Sequence, residues 1–325
     1  MRILAKGANW LGDAVMTLPS LRTLRAMRPE AHLAVLSKRG LADLYRCAPY
    51  VDDVVPYDTW LGARRAIRGR YDVALLFPRS FSSALLAYSS RIPRRIGYVG
   101  EGRSALLTDR IPRDPALLRR HRVHYYHHLL SRLGTPPEPE PPLLEVPGEA
   151  LEWARRTLPD GPLVGVNPGA TYGTAKQWYP DRFVEVGRRL AAHGRIVVVG
   201  GPAEAALGTR VAAEIPGAID LAGRTGLSQL AALLARCRLF LTNDTGPMHV
   251  ADAVGIPVVA VFGPTDPVTT PPFGRHHTIV RKALECSPCL KRTCPLGHHR
   301  CMKLIPTDEV WVACRRWLDE TKKSI

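Results

Sequence analysis

No stretch of the 325-residue sequence strings together the roughly 18 apolar residues that a membrane-spanning helix needs. The opening residues, Met1–Lys6, lack the apolar core and cleavage site of a signal peptide, so a cytosolic chain is expected. No repeat at the period of a solenoid is present, which leaves a globular architecture. Three signatures are also missing: Gly-x-Gly-x-x-Gly, Gly-x-x-x-x-Gly-Lys-Ser/Thr and Gly-x-Ser-x-Gly. Their absence argues against dinucleotide dehydrogenases, P-loop ATPases and serine hydrolases. Nor is there an Asp-x-Asp pair, the arrangement that often holds a divalent cation against a nucleotide-sugar. No metal or other cofactor is expected in the chemistry.

Acidic residues are in short supply. Against 29 Asp+Glu stand 45 Lys+Arg, a net charge of +16, which asks for an anionic partner. Residues 1–146 hold 23 basic and 13 acidic residues (+10), and residues 147–325 hold 22 and 16 (+6). Neither zinc-finger spacing nor an RNA-binding aromatic signature accompanies the charge, so no nucleic acid is expected as partner. A non-catalytic basic protein that binds nucleotide or nucleic acid is the alternative from another class.

Hydrophobic residues make up 46% of the chain, enough for ordered cores, and the length suits two domains. Arg2–Lys6, His32–Leu36 and Val73–Phe77 read as short buried strands. After the loop Gly7–Asp13 come Val15, Leu18, Leu21, Leu24 and Met27 at helical spacing. Further helices are predicted near Leu41–Arg46, Ser83–Ser89 and His124–Leu133. A proline-rich run at 135–147 reads as a semi-rigid linker. The pattern then restarts, with strands at Leu163–Val166, Ile196–Val199, Leu239–Thr242 and Val258–Phe262. Helices fall between them at Asp181–Ala192, Ala203–Ala213, Leu227–Arg236 and Gly246–Val254. Alternating strands and helices predict an α/β chain: two doubly wound parallel-sheet domains, 1–146 and 147–325, the second with a terminal helix. Ligands of such sheets bind beyond the carboxyl ends of the strands, around the cleft that two joined domains are expected to form.

The polar motifs fall where that rule wants them. Asp13 stands at the mouth of the first helix; it is either an N-cap or a carboxylate base. Asn167-Pro168-Gly169-Ala170-Thr171 and the stretch Tyr172–Pro180, with Lys176, offer N–H, O–H and ammonium donors to phosphate. Asn243-Asp244-Thr245-Gly246-Pro247-Met248-His249 opens a helix whose N–H groups suit an anion, and Gly263–Pro267 forms a further turn-rich loop. Three such loops from one domain favour a nucleoside-diphosphate site over three unrelated turns.

Seven cysteines are unevenly placed, and four fall in the pattern Cys286-x2-Cys289-x4-Cys294-x6-Cys301, with His298 and His299 inside. That spacing is metal-like, but reduced thiols in a compact loop are the default for a cytosolic chain, with a structural Zn²⁺ as the alternative.

The loop Gly7–Asp13, Asn167-Pro168-Gly169 with Lys176-Gln177-Trp178, Asn243–His249 and Phe262-Gly263-Pro264-Thr265-Asp266-Pro267 together resemble the bacterial lipopolysaccharide heptosyltransferases of glycosyltransferase family nine. The resemblance runs from the first strand to the last helix. The segment Cys286–His299 brings it nearest to the members that add the second heptose. It implies a GT-B fold of two Rossmann-like domains, acceptor bound mainly by the first and ADP-heptose by the second. It implies transfer of L-glycero-D-manno-heptose to the first heptose of the Kdo-lipid A core, with inversion at the anomeric carbon. Transfer of the first heptose, or use of another nucleotide-sugar, is the alternative within the class. On this resemblance Asp13 is the base. Lys176 and Thr171 contact phosphate, and Asp244, Thr245, Gly246 and His249 bind donor. Thr225 approaches adenine and Glu204 the ribose. Tyr172 stands where relatives often carry a small hydroxyl residue. Asn9, Arg79, Ser80, Arg94 and Arg95, the arginines read as following first-domain strands, are the acceptor candidates. A heptosyl-Kdo2-lipid A acceptor would hold the enzyme peripherally at the cytoplasmic face of the inner membrane, each well-placed basic residue adding on the order of 1 kcal/mol.

Overall fold

The computed structural model describes residues 1–322; residues 323–325, the end of the second predicted domain, lie outside the described residues. Two compact units divide the chain, Met1–Glu145 and Val146 onward.

Six parallel strands build the sheet of the first unit: β1 (Arg2–Lys6), β2 (His32–Lys38), β3 (Asp53–Tyr57), β4 (Val73–Leu76), β5 (Arg94–Tyr98) and β6 (Asp109–Ile111), in the order β3-β2-β1-β4-β5-β6. The second unit repeats the plan with β7 (Leu163–Asn167), β8 (Arg195–Val198), β9 (Ile219–Asp220), β10 (Cys237–Asn243), β11 (Val258–Phe262) and β12 (His277–Arg281), ordered β12-β11-β10-β7-β8-β9. Numbered within each unit, both orders are 3-2-1-4-5-6, the dinucleotide-fold arrangement, and both reverse direction between their first and fourth strands.

The central strands are continuous apolar runs because helices cover both of their faces. Val258–Phe262 is buried at every position, and β1 from Ile3 onward. The second core packs Val164, Val166, Leu239, Leu241, Val259 and Val261 against helix residues such as Phe183, Val186 and Leu190. Helix Thr307–Lys322 closes one side with Val310, Cys314 and Leu318, all fully buried. The proline-rich run forms no helix or strand. It lies along the first unit, where the Tyr50 hydroxyl donates to the Leu143 carbonyl at 3.1 Å and Glu145 N–H to Cys47 O at 2.7 Å.

Boundaries differ modestly from the sequence reading. The helix expected over His124–Leu133 is an α-helix from Arg122 to His127 that tightens into a 3₁₀ turn over His128–Arg132. Strands β3, β5, β6, β9 and β12 were not legible, and all five form a sheet edge or its neighbour with charged or half-exposed residues.

Lys6, at the carboxyl end of β1, is an exception in a dry strand. It is 5% exposed, its Nζ donates to Gly7 O at 2.8 Å, and it lies 5.1 Å from the Tyr57 ring centroid. Burial, and secondarily the charge of Lys38, pulls its ammonium from 10.5 down to about 7. Between those two values the folded chain binds fewer protons than the unfolded chain, so stability rises with pH across that window. Below about pH 7 the cost of the buried charge is constant. Urea midpoints of wild type and Lys6→Met should therefore converge as pH rises from 7 to 10, their difference changing by up to about 1.4 kcal/mol per pH unit. Parallel profiles would show that Lys6 keeps its proton on folding.

Candidate active site

In each unit the polar motifs gather at the loops that leave the first and fourth strands, the point where strand order reverses and where ligands of such sheets bind.

In the first unit, β1 runs out at Lys6 and the loop Gly7–Trp10 leads into helix Leu11–Met27. Trp10 occupies the cap position without a side-chain hydrogen bond, so Asp13 is not the N-cap; it lies in the first helical turn. Its carboxylate Oδ1 accepts a hydrogen bond from the Tyr126 hydroxyl at 2.7 Å. Tyr126 is 8% exposed and packs edge-on against Phe77, the residue that follows β4, with ring centroids 5.7 Å apart. Burial, then the negative charge of Asp13, drives the Tyr126 phenol well above its ordinary range. It therefore stays a hydrogen-bond donor and leaves Asp13 Oδ2 to meet a ligand. Asn9 and Trp10 are exposed on the same loop.

The loop after β4 carries Arg79, exposed, and Ser80, whose Oγ caps helix Phe81–Ser89 by accepting from Ser83 N at 3.4 Å. Beneath it lies Arg103, which has no exposed surface. Its Nη1 donates to Pro78 O at 2.5 Å, Ser80 O at 3.2 Å and Ser83 Oγ at 3.0 Å, and burial lowers its guanidinium to about 10.

Arg94 and Arg95 require a correction. They do not follow a strand but open β5, pairing in register with Val73 and Ala74 at the amino end of β4. That end of the sheet is opposite to Asp13. Both are also spoken for: Arg94 grips the Asp109 carboxylate through Nε and Nη2, and Arg95 donates to the carbonyls of Ile92, Pro93 and Leu106. A run of two arginines before an apolar triplet looks like a loop followed by a strand; in the fold it is the strand's beginning.

In the second unit, the loops after β7 and β10 are welded by Asn243. Its Nδ2 donates to Pro168 O and Gly169 O at 2.9 and 3.1 Å, and its Oδ1 accepts from Trp178 N at 3.0 Å. Next to it Asp244, 3% exposed, binds Lys176 Nζ at 2.7 Å and accepts from Thr265 Oγ1 at 2.5 Å. Lysine, aspartate and threonine thus come from the loops after β7, β10 and β11. Thr245 precedes helix Gly246–Ala253, whose N-terminus opens on this rim, and His249 is buried within that helix.

Glu204 reaches across from the loop after β8. Its carboxylate accepts from Gly201 N at 2.8 Å and from Thr171 Oγ1 at 3.4 Å. Any side chain at residue 169 would start 2.4 Å from that carboxyl carbon, so Gly169 is needed for the approach. Thr225, half-buried, lies in the loop between β9 and helix Leu227–Ala235. Tyr172 turns its hydroxyl away from the lysine to donate to Leu290 O at 3.2 Å, while Lys176 and Arg292 lie 5.0 and 5.1 Å from its ring centroid. The geometry thus brings together Thr171, Glu204, Lys176 and Asp244 in one unit and Asp13 with Asn9 in the other. Sequence reasoning passed over Tyr126, Arg103 and Asn243 as site residues, and Thr265 was seen only as part of a turn.

Two Rossmann-like units with parallel six-stranded sheets, each carrying its polar residues at the switch point, define the GT-B class of glycosyltransferases. Residues 60–300 match glycosyltransferase family 9 (heptosyltransferase). The chain is 32% identical to lipopolysaccharide heptosyltransferase 2 of Salmonella typhimurium, covering 92% of this chain and 93% of that protein. Among solved structures it superposes on the Escherichia coli ADP-heptose lipopolysaccharide heptosyltransferase II with a TM-score of 0.87, at 29% identity and over 99% and 100% of the two chains. A family 9 glycosyltransferase from Veillonella parvula gives a TM-score of 0.88 at 26% identity, covering 98% and 97%. The chain belongs to glycosyltransferase family 9, the heptosyltransferases, and is a glycosyltransferase.

Proposed function

We infer that this chain transfers L-glycero-D-manno-heptose from ADP-heptose to the first heptose of a heptosyl-Kdo-lipid A acceptor during assembly of the lipopolysaccharide core. The near-full-length similarity to lipopolysaccharide heptosyltransferase 2 carries this reading. The buried Lys176–Asp244–Thr265 cluster supports a donor site of diphosphate character. Peripheral attachment to the cytoplasmic face of the inner membrane is part of the proposal and draws on the +10 charge of residues 1–146. No helix among the described residues is long and apolar enough to cross a membrane.

The chemistry follows from the named groups. Asp13 Oδ2 takes the proton of the acceptor hydroxyl as that oxygen bonds to the anomeric carbon. The bond from that carbon to the ADP oxygen breaks in the same displacement, which inverts the centre. Charge developing on the departing diphosphate is met by the Lys176 ammonium and by the N-terminus of helix Gly246–Ala253. Thr171 and Glu204 are assigned to the donor's phosphate and ribose, Thr225 to adenine, and Asn9, Arg79 and Ser80 to the acceptor. No metal is assigned to these steps.

The test is ADP release from ADP-heptose by the purified protein, with and without heptosyl-Kdo2-lipid A, paired with the mass of the glycolipid. Acceptor-dependent release with a one-heptose mass gain is expected. Turnover with Kdo2-lipid A alone would reassign the chain to the first heptose transfer. Inactivity with both, together with salt-sensitive binding of DNA or RNA, would favour the non-enzymatic alternative.

Tyr126 gives this mechanism a positioning residue. Tyr126→Phe removes the hydrogen bond while keeping the ring against Phe77. Turnover should fall about tenfold, with ADP affinity unchanged, because the carboxylate loses its fixed orientation. The loss should fall on kcat and on kcat/KM for the acceptor alike, with KM for ADP-heptose unchanged. Near-normal turnover in a folded Tyr126→Phe protein would leave Tyr126 with a purely structural role.

A further inference from the structure

Between β12 and the short helix Arg300–Lys303, residues 282–299 form neither helix nor strand. Apolar burial orders only its start, where Leu284 packs against the core; Leu290 and Leu296 are 58% and 61% exposed. Cysteines are what it turns inward. Cys286, Cys289 and Cys294 are partly buried, Cys301 just beyond is 7% exposed, and all four line a single small cavity of about 40 Å³ beside Ala175 and His298. The other three cysteines of the chain, Cys47, Cys237 and Cys314, are buried elsewhere, in strands, helices or their ends.

Cys294 is the best-held of the four. Its sulfur accepts the His299 N–H at 3.4 Å, and the Gly297 N–H donates to its carbonyl oxygen at 3.2 Å. A backbone N–H donated to sulfur is also how a metal-bound thiolate is commonly held. Among the described residues no three His, Cys, Asp or Glu side chains converge closely enough to hold an ion as they stand. Binding therefore draws the thiols inward by rotation about Cα–Cβ, into the cavity they already surround.

The same segment braces the loop that carries Lys176. Arg292 O accepts from Ala175 N at 3.0 Å, Leu290 O from the Tyr172 hydroxyl at 3.2 Å, and His299 Nε2 is 3.0 Å from Ala175 O. On the far side Leu290 N donates to Pro264 O at 2.8 Å and Ser287 Oγ to Gly263 O at 2.6 Å. Gly173, at φ +156°, leaves room for this contact: a side chain there would start 2.4 Å from Arg292 O.

We propose that Cys286, Cys289, Cys294 and Cys301 bind one thiophilic transition-metal ion as a tetrahedral four-thiolate centre. Its role is positional: it ties the 282–299 segment down so that the backbone of residues 172–176 presents Lys176 to an anion. The four ligands release their protons on binding, and no oxidant or reductant is involved. Four thiolates suit Zn²⁺ or a single iron ion, and the experiment separates the two. The positional part rests on the donor-site reading of Lys176; the metal centre itself does not.

Elemental analysis of the full-length chain, purified under reducing conditions from zinc- and iron-supplemented cultures, should find about one metal ion per chain. Zinc leaves the visible spectrum blank even after exposure to ferricyanide, whereas ferrous four-thiolate iron, nearly colourless as purified, turns red when that reagent takes one electron from it. Cobalt taken up by stripped protein should give the intense visible bands of a tetrahedral thiolate site. Cys289→Ser and Cys294→Ser should each lower metal content or affinity at least about tenfold, while Cys47→Ala keeps it. Should the serine variants fail to fold, titrating wild-type thiols with an organomercurial while following metal release supplies the stoichiometry, four thiols per ion. Stripped protein should bind ADP about tenfold more weakly, and added metal should restore the affinity. A chain that purifies without metal and shows no saturable uptake of Zn²⁺, Fe²⁺ or Co²⁺ overturns the centre. A metal-loaded chain whose ADP affinity ignores the metal overturns its positional role.

Discussion

Asp13→Asn should lower turnover by about 10²–10⁴-fold while ADP affinity stays within a few-fold of wild type. The size follows from removing the group that takes the acceptor's proton; the selectivity follows from where Asp13 stands. Asparagine keeps the shape and still offers an oxygen to the Tyr126 hydroxyl, which donates to Asp13 at 2.7 Å, so the first helical turn should be undisturbed. A cap role cannot account for a loss, since the helix is capped at Trp10 without any side-chain bond. The measurement is the initial rate of ADP release beside calorimetric ADP binding. Near-normal turnover in a folded Asp13→Asn protein would remove Asp13 as the base.

The second large effect concerns Lys176, and it has two parts that can be separated. Lys176→Met should cut turnover by about 10²–10³-fold, because the ammonium supplies a full positive charge to the leaving diphosphate where the N-terminus of helix Gly246–Ala253 supplies only a partial one. It should also destabilise the fold by on the order of 2–3 kcal/mol, since Asp244, with its side chain 4% exposed, keeps Thr265 but loses its ion-pair partner. Adding Asp244→Asn should recover much of the stability without recovering turnover. The check is a denaturation midpoint and a rate for wild type, both single variants and the double variant. If turnover returns in the double variant, Lys176 acts through folding alone and not through the phosphates.

Much of this architecture was legible because central parallel strands are dry on both faces. Arg2–Lys6 and Val258–Phe262 appear in the fold with the bounds their apolar runs define. Peripheral strands hide. Asp53–Tyr57 includes a proline and has no fully buried residue, β9 is two residues long, and β12 has one buried residue at a sheet edge. Arg94 and Arg95 were misplaced for the same reason: charges at a strand's amino end look like the loop before it. At the site, residues in loops after strands could be found because the loop sequence itself is polar and turn-forming. Their partners could not. Tyr126 meets Asp13 across 113 positions, and Asn243 reaches Pro168 across 75; neither pairing leaves a periodicity or spacing to read. The resemblance assigned Glu204 to the ribose and Thr171 to phosphate; the hydrogen bond that joins them emerges only in the fold.

The tie between Asp13 and Tyr126 also bears on the order in which the molecule becomes competent. A ribosome emits Asp13 near the start of the first unit and Tyr126 near its end, after every strand of that sheet. The first helix can form early from local contacts, but its carboxylate gains a fixed orientation only when the last helical segment docks. A nascent or clipped first unit that ends before Tyr126 therefore has the acid residue without the geometry. Completion of the fold acts as its own licence for the chemistry.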